Sequence, residues 1–233
     1  ETWQLIANLP GTNHSFVGEN QTVYEVTIRA NKGDGTVSFS NIRSFNVATT
    51  LQPSYSYIST ASVLPGDKSI EIKYTFDNAA IVTKIALQRM NRGAFETIEE
   101  VENPAAEHLF IDEKVYVDDQ SYSYRVIYFD SCGNEGYASN IAQTILLKSQ
   151  LDQASFISYV NWSPYSEFNG AILGYNLHRS INGAESYTYV ATIPPGQLSY
   201  QDSLYDIDNE GQVCYRIEAL EGPNIFNNPQ FSH

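Results

Sequence analysis

Ile6, Ile98 and Val190 stand 92 positions apart (98 − 6 and 190 − 98). Each lies in a similar stretch: WQLIANLPGTNHSF from Trp3, FETIEEVENPAAEHLF from Phe95 and YTYVATIPPGQLSY from Tyr187. Each stretch closes on an aromatic, at Phe16, Phe110 and Tyr200. Self-similarity at a fixed period means one structural unit used several times, so the chain must fold as repeats of that unit.

The repeat continues. After a polar stretch come Tyr24–Ala30 (YEVTIRA), Tyr122–Tyr128 (YSYRVIY) and Val213–Ala219 (VCYRIEA). All three alternate with the period of two expected of a strand with one buried face. The inward set is Tyr24, Val26 and Ile28 in the first unit, matched by Tyr122, Tyr124 and Val126 in the second. Turns follow at KGDG (32–35), SCGNEG (131–136) and EGPN (221–224), where Gly and Asn supply the positive φ that turns demand. Ser40-Asn41 and Ser139-Asn140 then open a further strand, FNV (45–47) in one unit and TILL (144–147) in the other.

The front half of the repeat occurs in units two and three. SIEIKYTF (69–76) and FISYVNWSP (156–164) read as strands, followed by KIALQR (84–89) and GYNLHR (174–179). Short loops, MNRG (90–93) and SINGAE (180–185), lead back to Phe95 and Tyr187. No segment carries a helical pattern, and 17 Tyr among abundant Val, Ile and Thr suit pleated surfaces. Short strands separated by turns read as sandwich modules, and a 92-residue unit suits a seven-strand sandwich of roughly 100 residues. The expected fold is therefore all-β, in tandem immunoglobulin-like modules.

TTLQPS (49–54) and KSQLDQ (148–153) read as short polar connectors. The expected domains are 1–50, the C-terminal part of a module; 51–149, a complete module; and 150–233, a module lacking its last strand, which leaves one sheet edge open.

Net charge is −14. So acidic a chain repels phosphate backbones and anionic lipid surfaces, which excludes nucleic acid and basic-patch membrane binding as functions. No stretch approaches the roughly 18 consecutive apolar residues of a membrane span. The first residues, ETWQLIANLPGT, show neither the basic region nor the apolar core of a signal peptide.

Trp162 in the second strand, Gly174-Tyr175 opening the third, and Tyr122-Ser123-Tyr124-Arg125-Val126 before Ser139-Asn140 resemble fibronectin type III modules. Unit two departs from that pattern with Tyr74 or Phe76 in the place of Trp. Unit three departs with Val213 in the place of Tyr122. The phrases DSCGNEGYASNI, VNWSPY, VATIPPGQLSYQD and VCYRIEAL resemble the modules that precede the sorting domain of gliding-motility-associated proteins of Bacteroidota, cargo of the type IX secretion system. That resemblance implies an extracellular multi-module protein. It also implies that Cys214 pairs with a cysteine following Ser-Asn, beyond His233, while Cys132 stays unpaired.

Chemistry-bearing constellations are sparse. His14, His108, His178 and His233 lack the spacings of a zinc site, and no Cys-x-x-Cys occurs. No Gly-x-Ser-x-Gly occurs, and neither Cys132 nor Cys214 pairs with a catalytic-type His. Lys32-Gly33-Asp34-Gly35 has no following helix and reads as a hairpin turn, not a phosphate cradle. Asp206, Asp208, Asn209 and Glu210 share one polar loop, matched by Asp118-Asp119 in unit two and by Glu19 and Asn20 in unit one. Oxygen-rich loops can bind calcium, but this one lacks the EF-hand spacing. Asn13, Asn20 and Asn161 open Asn-x-Ser/Thr triplets. Asp202-Ser203-Leu204 resembles a Bacteroidota O-glycosylation acceptor and reads otherwise as a plain turn.

The expected function is non-catalytic: spacer or adhesion modules of a secreted or cell-surface protein, with no cofactor, no metal and no catalytic residue, and with other proteins or glycans as partners. Two alternatives stand beside it. One is a glycan- or protein-binding sandwich using Tyr55 and Tyr57 of PSYSYIS with Tyr165 and Phe168 of SPYSEFNG. The other is an accessory region of an enzyme whose catalytic domain lies outside these residues.

Overall fold

The computed structural model describes residues 3–8, 11–16, 22–47, 51–64, 68–165, 168–181, 186–205, 207, 211–225 and 231–232. No helix occurs among the described residues, and the chain forms two compact units, residues 1–50 and 51–233.

The first unit contains β1 (Thr22–Val26), β2 (Arg29–Asn31), β3 (Val37–Phe39) and β4 (Arg43–Val47). β1 pairs with β4 and β2 with β3, as separate ribbons. The single strand expected over Tyr24–Ala30 therefore breaks at Thr27-Ile28. The cause is Ser40. Its Oγ accepts from the Ile28 N–H at 2.9 Å, and its own N–H donates to the Ile28 carbonyl at 2.8 Å. A side-chain hydroxyl replaces a backbone partner, so the ladder stops there. Ile28, expected to face inward, is 65% exposed. Two-stranded ribbons offer too little sheet to bury it. Phe16, Tyr24 and Phe45 instead gather their rings at centroid separations of 5.5 to 6.1 Å. The KGDG turn closes through Lys32 N–H to the Thr36 carbonyl (2.9 Å), with Gly35 at φ 84°. The Thr36 N–H and the Lys32 ammonium hold the Asp34 carboxyl down at about 2.

The second unit holds two sandwiches. The first comprises β5 (Ser56–Val63), β6 (Ile70–Phe76), β7 (Lys84–Asn91), β8 (Ala94–Glu102), β9 (Glu107–Asp112), β10 (Ser123–Phe129), β11 (Glu135–Ala138) and β12 (Ala142–Gln143). Sheet β5-β6-β9 faces sheet β11-β10-β7-β8, with β12 also on β10. Alternation on β6 and β10 buries Ile70, Ile72, Tyr74 and Phe76 from one side and Tyr122, Tyr124, Val126 and Tyr128 from the other. The turn from β7 to β8 is tight because Arg92 and Gly93 both take positive φ (48° and 90°). Gly136 serves a different need. A Cβ there would fall 2.1 Å from Cζ of Tyr128, so only glycine lets that ring lie on β11.

The second sandwich comprises β13 (Leu147–Asp152), β14 (Ile157–Trp162), β15 (Ile172–Ile181), β16 (Thr188–Ile193), β17 (Ser199–Ser203), β18 (Val213–Glu221) and β19 (Phe231–Ser232). Sheet β13-β14-β17 faces β16-β15-β18-β19. The two strand orders are the same, three strands against a path of four, with β12 an addition in the first sandwich. The fold is a tandem of antiparallel β-sandwiches.

Three local expectations fail here. TILL (144–147) is not a strand: β12 ends at Gln143 and Leu147 already begins the next sandwich. KSQLDQ (148–153) is not a connector, because residues through Asp152 form β13 and pair fully with β14. At the edge of β18, where an open row was expected, β19 pairs through Ala219↔Ser232 and Leu220↔Phe231.

The recurring Ser-Asn acquires a physical role. Ser139 repeats the Ser40 arrangement: its Oγ accepts from Val126 N–H (2.9 Å) and its N–H donates to the Val126 carbonyl (2.9 Å). Asn140 then reaches β5, its Oδ1 accepting from Ile58 N–H (2.7 Å) and its Nδ2 donating to the Ile58 carbonyl (3.1 Å). The pair ends one ladder and clamps the first strand of the sandwich to the last.

Candidate functional site

The densest polar constellation in each sandwich is a buried carboxylate that bridges the two sheets. In the first, Asp112 on β9 is 6% exposed. It accepts from Arg89 Nη1 on β7 at 2.6 Å, from the Tyr124 hydroxyl on β10 at 2.9 Å and from Lys114 N–H at 3.0 Å. In the second, Asp202 on β17 is 5% exposed. Arg179 Nη1 on β15 meets both of its oxygens, at 3.0 and 2.8 Å, and the Tyr215 hydroxyl on β18 donates at 2.8 Å. The two triads are the same feature at spacings of 90, 90 and 91 residues (202 − 112, 179 − 89, 215 − 124). The members of each triad sit on three separate strands, so no local pattern in the sequence joins them.

Burial opposes the charge on Arg89, but the hydrogen bond and charge of Asp112 outweigh it and raise the guanidinium pKa. Burial, reinforced by the adjacent carboxylate, raises the Tyr124 phenol well above its ordinary value. Burial likewise pushes Tyr215 up to about 12. Each of these carboxylates already accepts from two or three donors. These centres hold the two sheets of each sandwich together.

Tyr74 makes a buried neutral bond within one sheet, between β6 and β5. Its ring is buried, its hydroxyl meets Ser56 Oγ at 2.8 Å, and burial raises its phenol to about 12. Ser56→Ala leaves that hydroxyl without this partner and is expected to cost about 1–2 kcal/mol in urea unfolding. The three tyrosines also set an alkaline limit. Each folded pKa is raised, so each stabilising contribution is full below the unfolded value of 10.0 and is lost as pH rises through the folded value. The urea midpoint is expected to fall between pH 10 and about 12, with phenolate absorbance rising cooperatively with unfolding.

The residues singled out in the sequence do not converge. His14 is exposed. His108 lies edge-on to Phe110, centroids 4.5 Å apart. His178 lies 3.7 Å from Glu218, and His233 is outside the described residues. Among the described residues no three His, Cys, Asp or Glu side chains gather as a metal site. Asp118 and Asp119 are exposed, while Asp206, Asp208, Asn209 and Glu210 of the oxygen-rich loop, with Glu19 and Asn20, lie outside the described residues. Both cysteines are free thiols, Cys132 exposed and Cys214 half-buried on β18. Asn13 is exposed, and Asn161 sits within β14 between β13 and β17. Asp202-Ser203 is strand, not turn, and its carboxylate is spent on Arg179 and Tyr215.

The aromatic set behaves differently from the expected solvent-facing patch. Tyr57, Tyr165 and Phe168 are 8%, 3% and 7% exposed. Tyr57 and Tyr165 lie where the two sandwiches meet: the Tyr165 hydroxyl accepts from Ala61 N–H at 3.4 Å and the Tyr57 hydroxyl from Asn169 N–H, while Phe168 packs on Tyr165 in the second core. Tyr55 alone of the four is half-exposed. It borders an open cleft of about 530 Å³, with Lys73, His108 and Asn224 among the polar lining.

No family model matches the chain, and no curated protein matches it. Among solved structures, the crystal structure of chicken CNTN1 FN1-FN3 domains is similar at 14% identity. The match covers 90% of this chain and 77% of that one, with a TM-score of 0.28. At that score the likeness carries no argument, and the fold rests on the strand order and the two cores. No helix among the described residues is long and apolar enough to cross a membrane.

Proposed function

We propose that this chain is a non-catalytic spacer and adhesion segment of a surface-displayed or secreted protein exported by the type IX secretion system. The observation that carries the non-catalytic reading is the use of the buried charges. Among the described residues the buried acids Asp112, Asp202 and Glu221 are each held by hydrogen bonds, the first two through Arg89 and Arg179 across the sheets. The sandwich frame suits that role. The export route rests on the phrases DSCGNEGYASNI, VNWSPY and VCYRIEAL. Antibodies against residues 51–233 are expected to label intact, unpermeabilised cells of the producing organism. Labelling should disappear when the type IX machinery is deleted. Labelling seen only after permeabilisation would overturn the surface assignment, and labelling that survives the deletion would overturn the route.

A second reading, glycan or protein binding, is favoured by the cleft beside Tyr55, in which an aromatic ring and polar side chains share one wall. Tyr55→Ala is expected to abolish retention on any glycan or matrix-protein surface that holds the wild-type chain. Unchanged retention would remove this reading.

A further inference from the structure

Three residues, Thr144 to Leu146, separate β12 from β13, and each is tied down. Thr144 exchanges two bonds with Tyr122 of the first sandwich: its N–H donates to the Tyr122 carbonyl at 3.0 Å, and its Oγ1 accepts from Tyr122 N–H at 2.9 Å. Leu146 exchanges two with Ser163 of the second: its N–H donates to Ser163 Oγ at 2.9 Å, and its carbonyl accepts from Ser163 N–H at 3.0 Å. Ile145, between them, is buried in the second core. The connection thus belongs half to one sandwich and half to the other, with no free residue to act as a flexible tether.

Side contacts fix the angle as well as the distance. β5 is an edge strand, and edge strands expose unpaired backbone groups. Asn140 takes both groups of Ile58 within the first sandwich, and Tyr165 of the second takes the N–H of Ala61. Asn169 N–H closes on Tyr57, and Lys148 Nζ reaches the Asp118 carbonyl at 2.5 Å. The Tyr165 and Phe168 rings, 4.6 Å apart, are both buried in the second core. Relative motion is the default for linked domains unless the interface is well packed and apolar. Here two buried tyrosines, Tyr57 and Tyr165, make contacts between the sandwiches.

We infer that the two sandwiches form one rigid body, locked at β5 by Tyr165 and Tyr57, so that the spacer transmits a fixed orientation. This deepens the spacer reading and rests on it. The test uses the full chain with Cys214→Ser and Gln153→Cys, spin-labelled at positions 132 and 153, and double electron–electron resonance. One narrow distance distribution is expected. In Tyr165→Ala the width should at least double while both sandwiches stay folded by near-UV circular dichroism. Tyr57→Phe, which removes a hydroxyl alone, should widen it less and covers the case in which Tyr165→Ala does not fold. A broad distribution in the parent, or a width unchanged in both variants, would overturn the lock. Either result leaves the surface-labelling experiment untouched, so the two failures are distinguishable.

Discussion

Asp112→Ala is expected to destabilise the first sandwich by about 3 kcal/mol, and Asp202→Ala the second by a similar amount. Each carboxylate is almost fully buried, and each anchors an arginine that is about one-fifth exposed (22% and 21%). Removing one partner of a buried pair leaves the other desolvated and uncompensated, which typically costs about 3–5 kcal/mol. The partial exposure of Arg89 and Arg179 lets water recover some of that, so the lower end applies. A phenol is stranded too, Tyr124 in one sandwich and Tyr215 in the other. Tyr124→Phe removes one hydrogen bond and should cost about 1–1.5 kcal/mol. Replacing charge and countercharge together, as Arg89→Met with Asp112→Leu, should recover most of the loss, because apolar isosteres of a buried pair are often neutral. Urea unfolding of the four variants separates these terms. A loss below about 1 kcal/mol in Asp112→Ala would show that the pair contributes no more than a surface bridge.

The features legible in the sequence were those written in one strand. The alternation at Tyr122, Tyr124 and Val126 gave the buried face directly, and the Gly-Asn turns gave the hairpins. Features shared between strands were not legible. Asp112, Arg89 and Tyr124 lie on β9, β7 and β10, and no local pattern joins them. KSQLDQ reads as a linker because β13 is an edge strand whose side chains face water, leaving polar composition on a true strand. Ile28 fits the alternation of its strand, yet burial needs a second layer of sheet, a tertiary property. Tyr57 and Tyr165 looked like an adhesive surface for the same reason that they form a joint: apolar rings with polar tips suit any interface, and sequence does not say which one.

Trp162→Ala is expected to cost the second sandwich about 3–5 kcal/mol. Strand register gives the reason for both the size and the kind of loss. Ile70 opposes Asp112 and Ser158 opposes Asp202, so Tyr74 and Trp162 occupy the same place, four residues further along β6 and β14. This settles which residue, Tyr74 or Phe76, stands where Trp would be. Opposite them, Ile58 pairs with Tyr74 and Leu147 with Trp162, which makes Ser56 and Ile145 counterparts two positions earlier. The first sandwich pairs a phenol with a serine hydroxyl; the second pairs an indole with an isoleucine. The Trp162 Nε1 is buried and has no hydrogen-bond partner among the described residues. Its contribution is therefore area and shape, including an edge-on contact with Tyr175 at 5.6 Å. Trp162→Phe should then lose only packing, about 1.5–2 kcal/mol. Trp162→Tyr should do worse than Phe, because it buries a hydroxyl beside Ile145 with no serine to receive it. Adding Ile145→Ser should recover part of that loss by rebuilding the Ser56–Tyr74 bond in the second sandwich. If Trp162→Tyr proves as stable as Trp162→Phe, the two positions are not equivalent and the register argument fails.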